Sequence, residues 1–138
     1  MSGFSDGVVR APLQTDEDVV RLRKMVREDM VALKFSLTDQ TKMVTAASEL
    51  ARNVLRYGGG GFAELEQLTR NGVNGVRATF IDKGPGIADI DLAMTDGYTS
   101  GGGMGLGLSG ARRLADEFDI DTAPGEGTTV TITKWKPY

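Results

Sequence analysis

Asp82-Lys-Gly84-Pro-Gly86-Ile87 opens, and Gly101-Gly-Gly103-Met104-Gly105-Leu106-Gly107-Leu108-Ser-Gly110 closes, the stretch that decides how this chain reads. Six of the ten residues from Gly101 to Gly110 are glycine. Ordering so many glycines costs backbone entropy, so the run needs a use. Backbone free of side chains can bring its N–H groups close to an anion, with a helix N-terminus behind them. The stretch points to a phosphate-bearing ligand.

Two familiar glycine patterns do not account for it. Gly105-Leu106-Gly107-Leu108-Ser-Gly110 has the spacing of the dinucleotide fingerprint, but that motif needs a strand running into its first glycine. Here Asp96-Gly-Tyr-Thr99-Ser100 precedes it, which is loop chemistry. A phosphate loop of the Walker type needs a lysine followed by serine or threonine, and none closes these glycines. A disordered surface loop is the plain alternative, and it requires three separate sequence blocks to coincide by chance.

Working outward, 138 residues suffice for one domain with a real core. A hydrophobic share of 40% and a charged share of 25% describe an ordinary globular chain. Net charge is −3 and the sixteen Lys and Arg are scattered, which argues against nucleic acid or a membrane surface as main partner. No apolar run approaches a membrane span and Met1–Pro12 lacks a signal-peptide core, so a cytoplasmic location is expected. Cysteine is absent, which removes disulfides and thiolate metal sites. Histidine is absent too, which removes a Ser-His-Asp triad, an imidazole metal site and phosphohistidine within this chain. Any acid or base near neutral pH must then be a carboxylate or a lysine.

Gly7–Leu13 reads as a strand that Pro12 confines to an edge or an end. Thr15-Asp-Glu-Asp18 is a helix start, followed by Val19, Leu22, Val26, Met30 and Leu33 at helical spacing. Ser36 to Asp39 breaks that helix and caps a second, whose stripe is Met43, Ala46, Ala47, Leu50 and Val54, ending at Gly58–Gly61. Phe62–Thr69 is a weaker strand, Asn71-Gly72 a turn, and Val76–Ile81 alternates as a strand. Leu108, Ala111, Leu114, Ala115 and Phe118 trace a third helix, Phe118–Thr122 reads as a short strand, and Thr128–Trp135 alternates again. The order predicts an α+β two-layer sandwich, helices on one face of a mixed sheet.

Glu49 and Asn53 lie four apart on the second helix, hence roughly 40° apart on one face beside its apolar stripe. They read either as a solvated flank or as a carboxylate and an amide facing a cleft. In a cleft, the carboxylate could take a proton from an attacking hydroxyl. The amide oxygen could join water and phosphate oxygens around Mg²⁺. Asp82, at the end of a strand, either caps the Gly-Pro-Gly turn or accepts from the exocyclic amine of adenine. In the second role it would reject guanine, which presents an acceptor there.

Together, Glu49-Leu-Ala-Arg-Asn53, Asp82-Lys-Gly84-Pro-Gly86-Ile87, Gly103-Met104-Gly105-Leu106-Gly107-Leu108 and Gly127-Thr128 resemble the ATP-binding fold shared by gyrase, HSP90, histidine kinases and MutL. Ser48 to Val54, the segment Asp96 to Gly102, Arg112 to Phe118 and the closing Lys134-Trp135 narrow the resemblance to RsbT-type serine/threonine switch kinases, over nearly the whole chain. The resemblance implies the Bergerat (GHKL) fold, ATP and Mg²⁺ as cofactors, Glu49 as catalytic base and Asn53 as the Mg²⁺ ligand. It implies nucleotide contacts from Asn53, Asp82, Gly84, Gly86, Ile87, Thr99, Ser100, Gly103, Met104, Gly105, Leu106, Gly107, Leu108 and Thr128. As partners it implies a STAS-domain antagonist as substrate and a PP2C-type phosphatase activated by the released kinase. Sporulation-type anti-sigma kinases are close relatives, which adds a sigma factor as a further partner. Their helix often carries a histidine past the Asn, where this chain has Arg56 and Tyr57. A non-catalytic ATP-dependent binding module is a second reading. An ATPase of the gyrase or MutL kind is a third, which would call for a lysine from an additional domain. Nothing in the residues fixes an oligomeric state.

Overall fold

The computed structural model describes residues 7–94, 99–100, 104–105 and 107–137. Strand β1 (Val9–Leu13) leads into helices α1 (Asp16–Ala32) and α2 (Leu37–Arg56), then strands β2 (Gly61–Arg70) and β3 (Val73–Asp82). A short helix α3 (Ile90–Ala93), a two-residue pair β4 (Thr99–Ser100) and β5 (Met104–Gly105), and helix α4 (Leu108–Leu114) follow. Strands β6 (Glu117–Thr122) and β7 (Thr128–Trp135) complete the order.

Local chemistry sets the helix ends. Thr15 caps α1 in a reciprocal capping box with Asp18, whose carboxylate accepts from the backbone N–H of Gln14 at 2.8 Å and of Thr15 at 3.1 Å. Lys34 takes a positive φ of 64° past the end of α1, and Ser36 restarts the chain by accepting from Asp39 N–H. Val19, Leu22, Val26 and Met30 of α1 are buried, as are Met43, Ala46, Ala47, Leu50 and Val54 of α2. They cover Ala63, Leu65, Val76, Ala78, Phe80, Val130 and Ile132 on one face of the sheet.

Sheet order is β1-β2-β3-β7-β6, with Pro12 on an edge strand as expected. The expected two layers are present, but all four strand pairings of this sheet are antiparallel rather than mixed. β3 and β6 run the same way, and β7 lies between them, so no parallel ladder forms. Asn71 and Gly72, at φ 53° and 80°, make the two-residue hairpin joining β2 to β3. Helix α4, the third helix read from the sequence, is shorter than its apolar period suggested. It ends at Leu114, and Phe118 belongs to β6, because Asp116 N–H bonds to Thr133 O at 2.9 Å and starts the pairing with β7.

Candidate active site

Leu50, Asn53, Val54 and Tyr57 recur at i, i+3, i+4 and i+7, one face of α2. Opposite them, the β3–β7 register sets Phe80 beside Val130 and Asp82 beside Thr128. A period of two puts all four of these on the same side of the sheet. These residues line a pocket that Pro85, Gly86, Ile87 and Leu108 complete. Its empty volume is about 480 Å³, a figure that includes open solvent at the mouth. Apolar walls surround a few polar groups, the arrangement expected for a flat heterocycle oriented by one or two hydrogen bonds.

Asp82 is half-buried in this wall. Burial pushes its carboxyl above the ordinary 3.8, opposed by the backbone N–H groups of Gly84 and Thr128. The Gly84 N–H donates to Oδ1 at 2.9 Å. Asp82 thus caps its own turn and also lines the pocket.

The turn after Asp82 is fastened to the β6–β7 loop. Gly125 N–H donates to Pro85 O at 2.6 Å, and Ile87 N–H donates to Thr122 Oγ1 at 2.9 Å. Gly86 has φ 75°, and a Cβ there would press into the Ala123 carbonyl, so only glycine fits without a shift. Thr122 spends its proton on Gly127 O at 2.9 Å, so Thr128 must donate across the 2.9 Å contact between the two hydroxyls.

Glu49 stands one turn before Asn53, outside the pocket lining. Arg52 Nη1 lies 3.2 Å from its Oε1, with side-chain exposures of 39% for Arg52 and 43% for Glu49. Its Oε2 faces Gly107, the residue that begins α4 with φ 68°. A Cβ at Gly107 would come within 2.6 Å of that oxygen. Glu49 thus closes on the start of α4 while Asn53 closes on the pocket.

The structure brings together Asn53, Asp82, Gly86, Ile87, Leu108 and Thr128, with Gly84 held in the same turn and Gly107 against Glu49. Thr99, Ser100, Met104 and Gly105 form the small β4–β5 pair, Thr99 opposite Gly105 and Ser100 opposite Met104. Gly103 and Leu106 lie outside the described residues. Among the described residues, no three His, Cys, Asp or Glu side chains group as a metal site, and no helix is long and apolar enough to cross a membrane. Sequence reasoning missed Leu50, Val54, Tyr57, Phe80, Pro85 and Val130 as lining and Thr122 as support. Tyr57 was findable as Asn53 plus one turn, and Phe80 as Asp82 minus two. Thr122 was not, since only the strand register places it.

Residues 38–137 match the family model described as histidine kinase-, DNA gyrase B-, and HSP90-like ATPase. The chain is 42% identical over 123 residues to serine/threonine-protein kinase RsbT of Bacillus subtilis, covering 89% of this chain and 92% of that one. It is 34% identical over 65 residues to an anti-sigma F factor of a Thermoanaerobacter species, covering 45% of this chain and 46% of that one. Among solved structures it is similar to the RsbU and RsbW domains of Rv1364c from Mycobacterium tuberculosis, with a TM-score of 0.63 at 21% identity, covering 94% of this chain and 33% of that one. The catalytic domain of histidine kinase ThkA gives a TM-score of 0.54 at 16% identity, covering 93% and 96%. The structural likenesses speak for the fold, and the sequence match speaks for the branch. The chain belongs to the histidine kinase-, DNA gyrase B- and HSP90-like ATPase family, on its RsbT-type serine/threonine kinase branch.

Proposed function

We propose that residues 1–138 act as one cytoplasmic ATP-binding kinase domain. It transfers the γ-phosphate of ATP to a serine or threonine of a STAS-domain antagonist protein, and when released it activates a PP2C-type phosphatase. The observation that carries this reading is the half-buried Asp82 carboxylate in an apolar pocket, with Asn53 of α2 across from it. An adenine ring would lie among Leu50, Val54, Phe80 and Val130, its amine donating to Asp82, with the backbone of Gly84, Gly86 and Ile87 alongside. Thr128 flanks the same end.

Phosphates leaving that pocket would pass Asn53 toward Leu108 and Gly107. The amide oxygen of Asn53 would hold Mg²⁺, a hard ion that prefers oxygen ligands. When bound, the ion neutralises phosphate charge. Glu49, beside Gly107, accepts the proton of the incoming hydroxyl. Phosphoryl transfer is chiefly positioning and electrostatics, so a small domain suffices. With labelled ATP and a STAS-domain substrate, phosphoamino-acid analysis should find acid-stable label on serine or threonine; acid-labile label or free phosphate alone rejects the reading.

Direct binding of a sigma factor is a second reading, favoured by the 34% identity to an anti-sigma F factor over 65 residues. Arg56 and Tyr57 stand where those relatives often carry histidine, which sets it behind the first. Co-migration of purified sigma factor with the chain on native gels would promote it.

A further inference from the structure

We infer that Arg52 is a positioning residue for the transfer step: it fixes one oxygen of Glu49 so that the other is presented at the start of α4. The inference deepens the kinase reading and rests on Glu49 being its base. An exposed i, i+3 pair on a helix is ordinarily worth only a few tenths of a kcal/mol and is decoration. Two features of this pair set it apart. Its carboxylate is bounded on the second side by the backbone of Gly107, so Oε1 meets Arg52 at 3.2 Å while Oε2 meets the helix start. Arg52 also precedes Asn53 and projects roughly 100° away from it around the helix, off the pocket and along the Glu49 side.

A carboxylate on a flexible stem samples many rotamers, and a base must hold one lone pair on the incoming hydroxyl. Anchoring Oε1 removes most of that freedom. In the transfer step the acceptor O–H bond breaks, its proton passes to Glu49 Oε2, a new O–P bond forms and the bond to the ADP oxygen breaks. Arg52 gains and loses nothing in this exchange. It sets where the accepting oxygen stands, so its loss should appear in turnover and leave nucleotide affinity alone.

The test compares Arg52→Ala, Arg52→Lys and Glu49→Gln in labelled transfer to a STAS-domain substrate, with ATP affinity measured separately and folding checked by thermal unfolding. Arg52→Ala should lower kcat by about ten- to a hundred-fold, the scale of a small misplacement of a reacting group, with KM for ATP kept within about two-fold. Arg52→Lys should recover most of the loss. Unchanged kcat in Arg52→Ala overturns the inference. A raised KM with kcat retained also overturns it, by placing Arg52 on phosphate. If Arg52→Ala does not fold, Arg52→Gln carries the same comparison. Full transfer by Glu49→Gln would remove the base and the inference with it. A dead Glu49→Gln beside an active Arg52→Ala would remove the inference alone. No transfer by the unmutated chain overturns both.

Discussion

Replacing Asp82 is the sharpest single perturbation of this pocket. In the folded chain its Oδ1 is taken by Gly84 N–H at 2.9 Å, and Thr128 N–H also bonds to the carboxylate. Each carboxylate oxygen has two lone pairs, so the group can still accept from a ligand amine in the pocket. A hydrogen bond to a charged acceptor contributes about 1.5–3 kcal/mol. At roughly 1.4 kcal/mol per decade, Asp82→Ala should weaken ATP binding by about ten- to a hundred-fold. Affinity for GTP should not fall in step, because guanine presents an oxygen to Asp82 and gains from its removal. Selectivity for ATP over GTP should therefore collapse.

Isothermal titration of both nucleotides against the unmutated chain, Asp82→Ala and Asp82→Asn measures this directly. Asp82→Asn keeps an acceptor for one backbone N–H, which separates recognition from loosening of the turn. The sign with pH is fixed as well. Burial holds the Asp82 carboxyl above 3.8, so acidification protonates it earlier than an exposed aspartate. ATP affinity falls as pH drops through that raised value, and the Asp82→Ala variant lacks this dependence. Equal ATP and GTP affinity in the unmutated chain, or ATP affinity kept within about two-fold in Asp82→Ala, would rule out adenine recognition by Asp82.

Asn53→Ala should abolish Mg·ATP binding while Glu49→Ala retains nucleotide but loses transfer, read by equilibrium binding and labelled transfer; the reverse pattern exchanges their roles. Asp18, held below its ordinary 3.8 first by Gln14 N–H and then by Thr15 N–H and Arg21, stabilises the fold above that value, and the gain is lost as pH falls through the lowered one. Urea midpoints of the unmutated chain and Asp18→Asn should therefore differ at neutral pH and converge in acid, and a constant gap contradicts this. Phe80 is 1% exposed and forms both core and pocket wall, so Phe80→Ala should lower unfolding free energy by about 3–5 kcal/mol. A loss under about 1 kcal/mol would mean that the wall collapses to fill the space.

How much of this was legible depended on how local each determinant is. Thr15 and Asp18 announce the start of α1 within four residues, and the structure has the capping box they spell. Thr128–Trp135 reads as a strand because Val130 and Ile132, two apart, both face the core, and β7 has those limits. The end of α4 was not legible, since the helical period continues to Phe118 while the competing bonds come from distant Thr133 and Trp135. The antiparallel sheet was hidden for the same reason: β7 inserts beside β3, and no residue near either strand states that pairing. At the site, motif glycines and polar residues stood out by type. The apolar lining did not, because Leu50, Val54 and Val130 carry the same stripe that makes the core.

On the proposed function, the space between α2 and the Asp82–Ile87 turn holds an adenine nucleotide. Titrating isotope-labelled protein with Mg·ATP and following backbone amides by NMR tests it at residue resolution. Saturable shifts are expected at Gly84, Gly86, Ile87 and Thr128, reproduced by Mg·ADP and weak with Mg·GTP. Saturating Mg·ATP that leaves those amides unmoved, or moves a different surface, would contradict it.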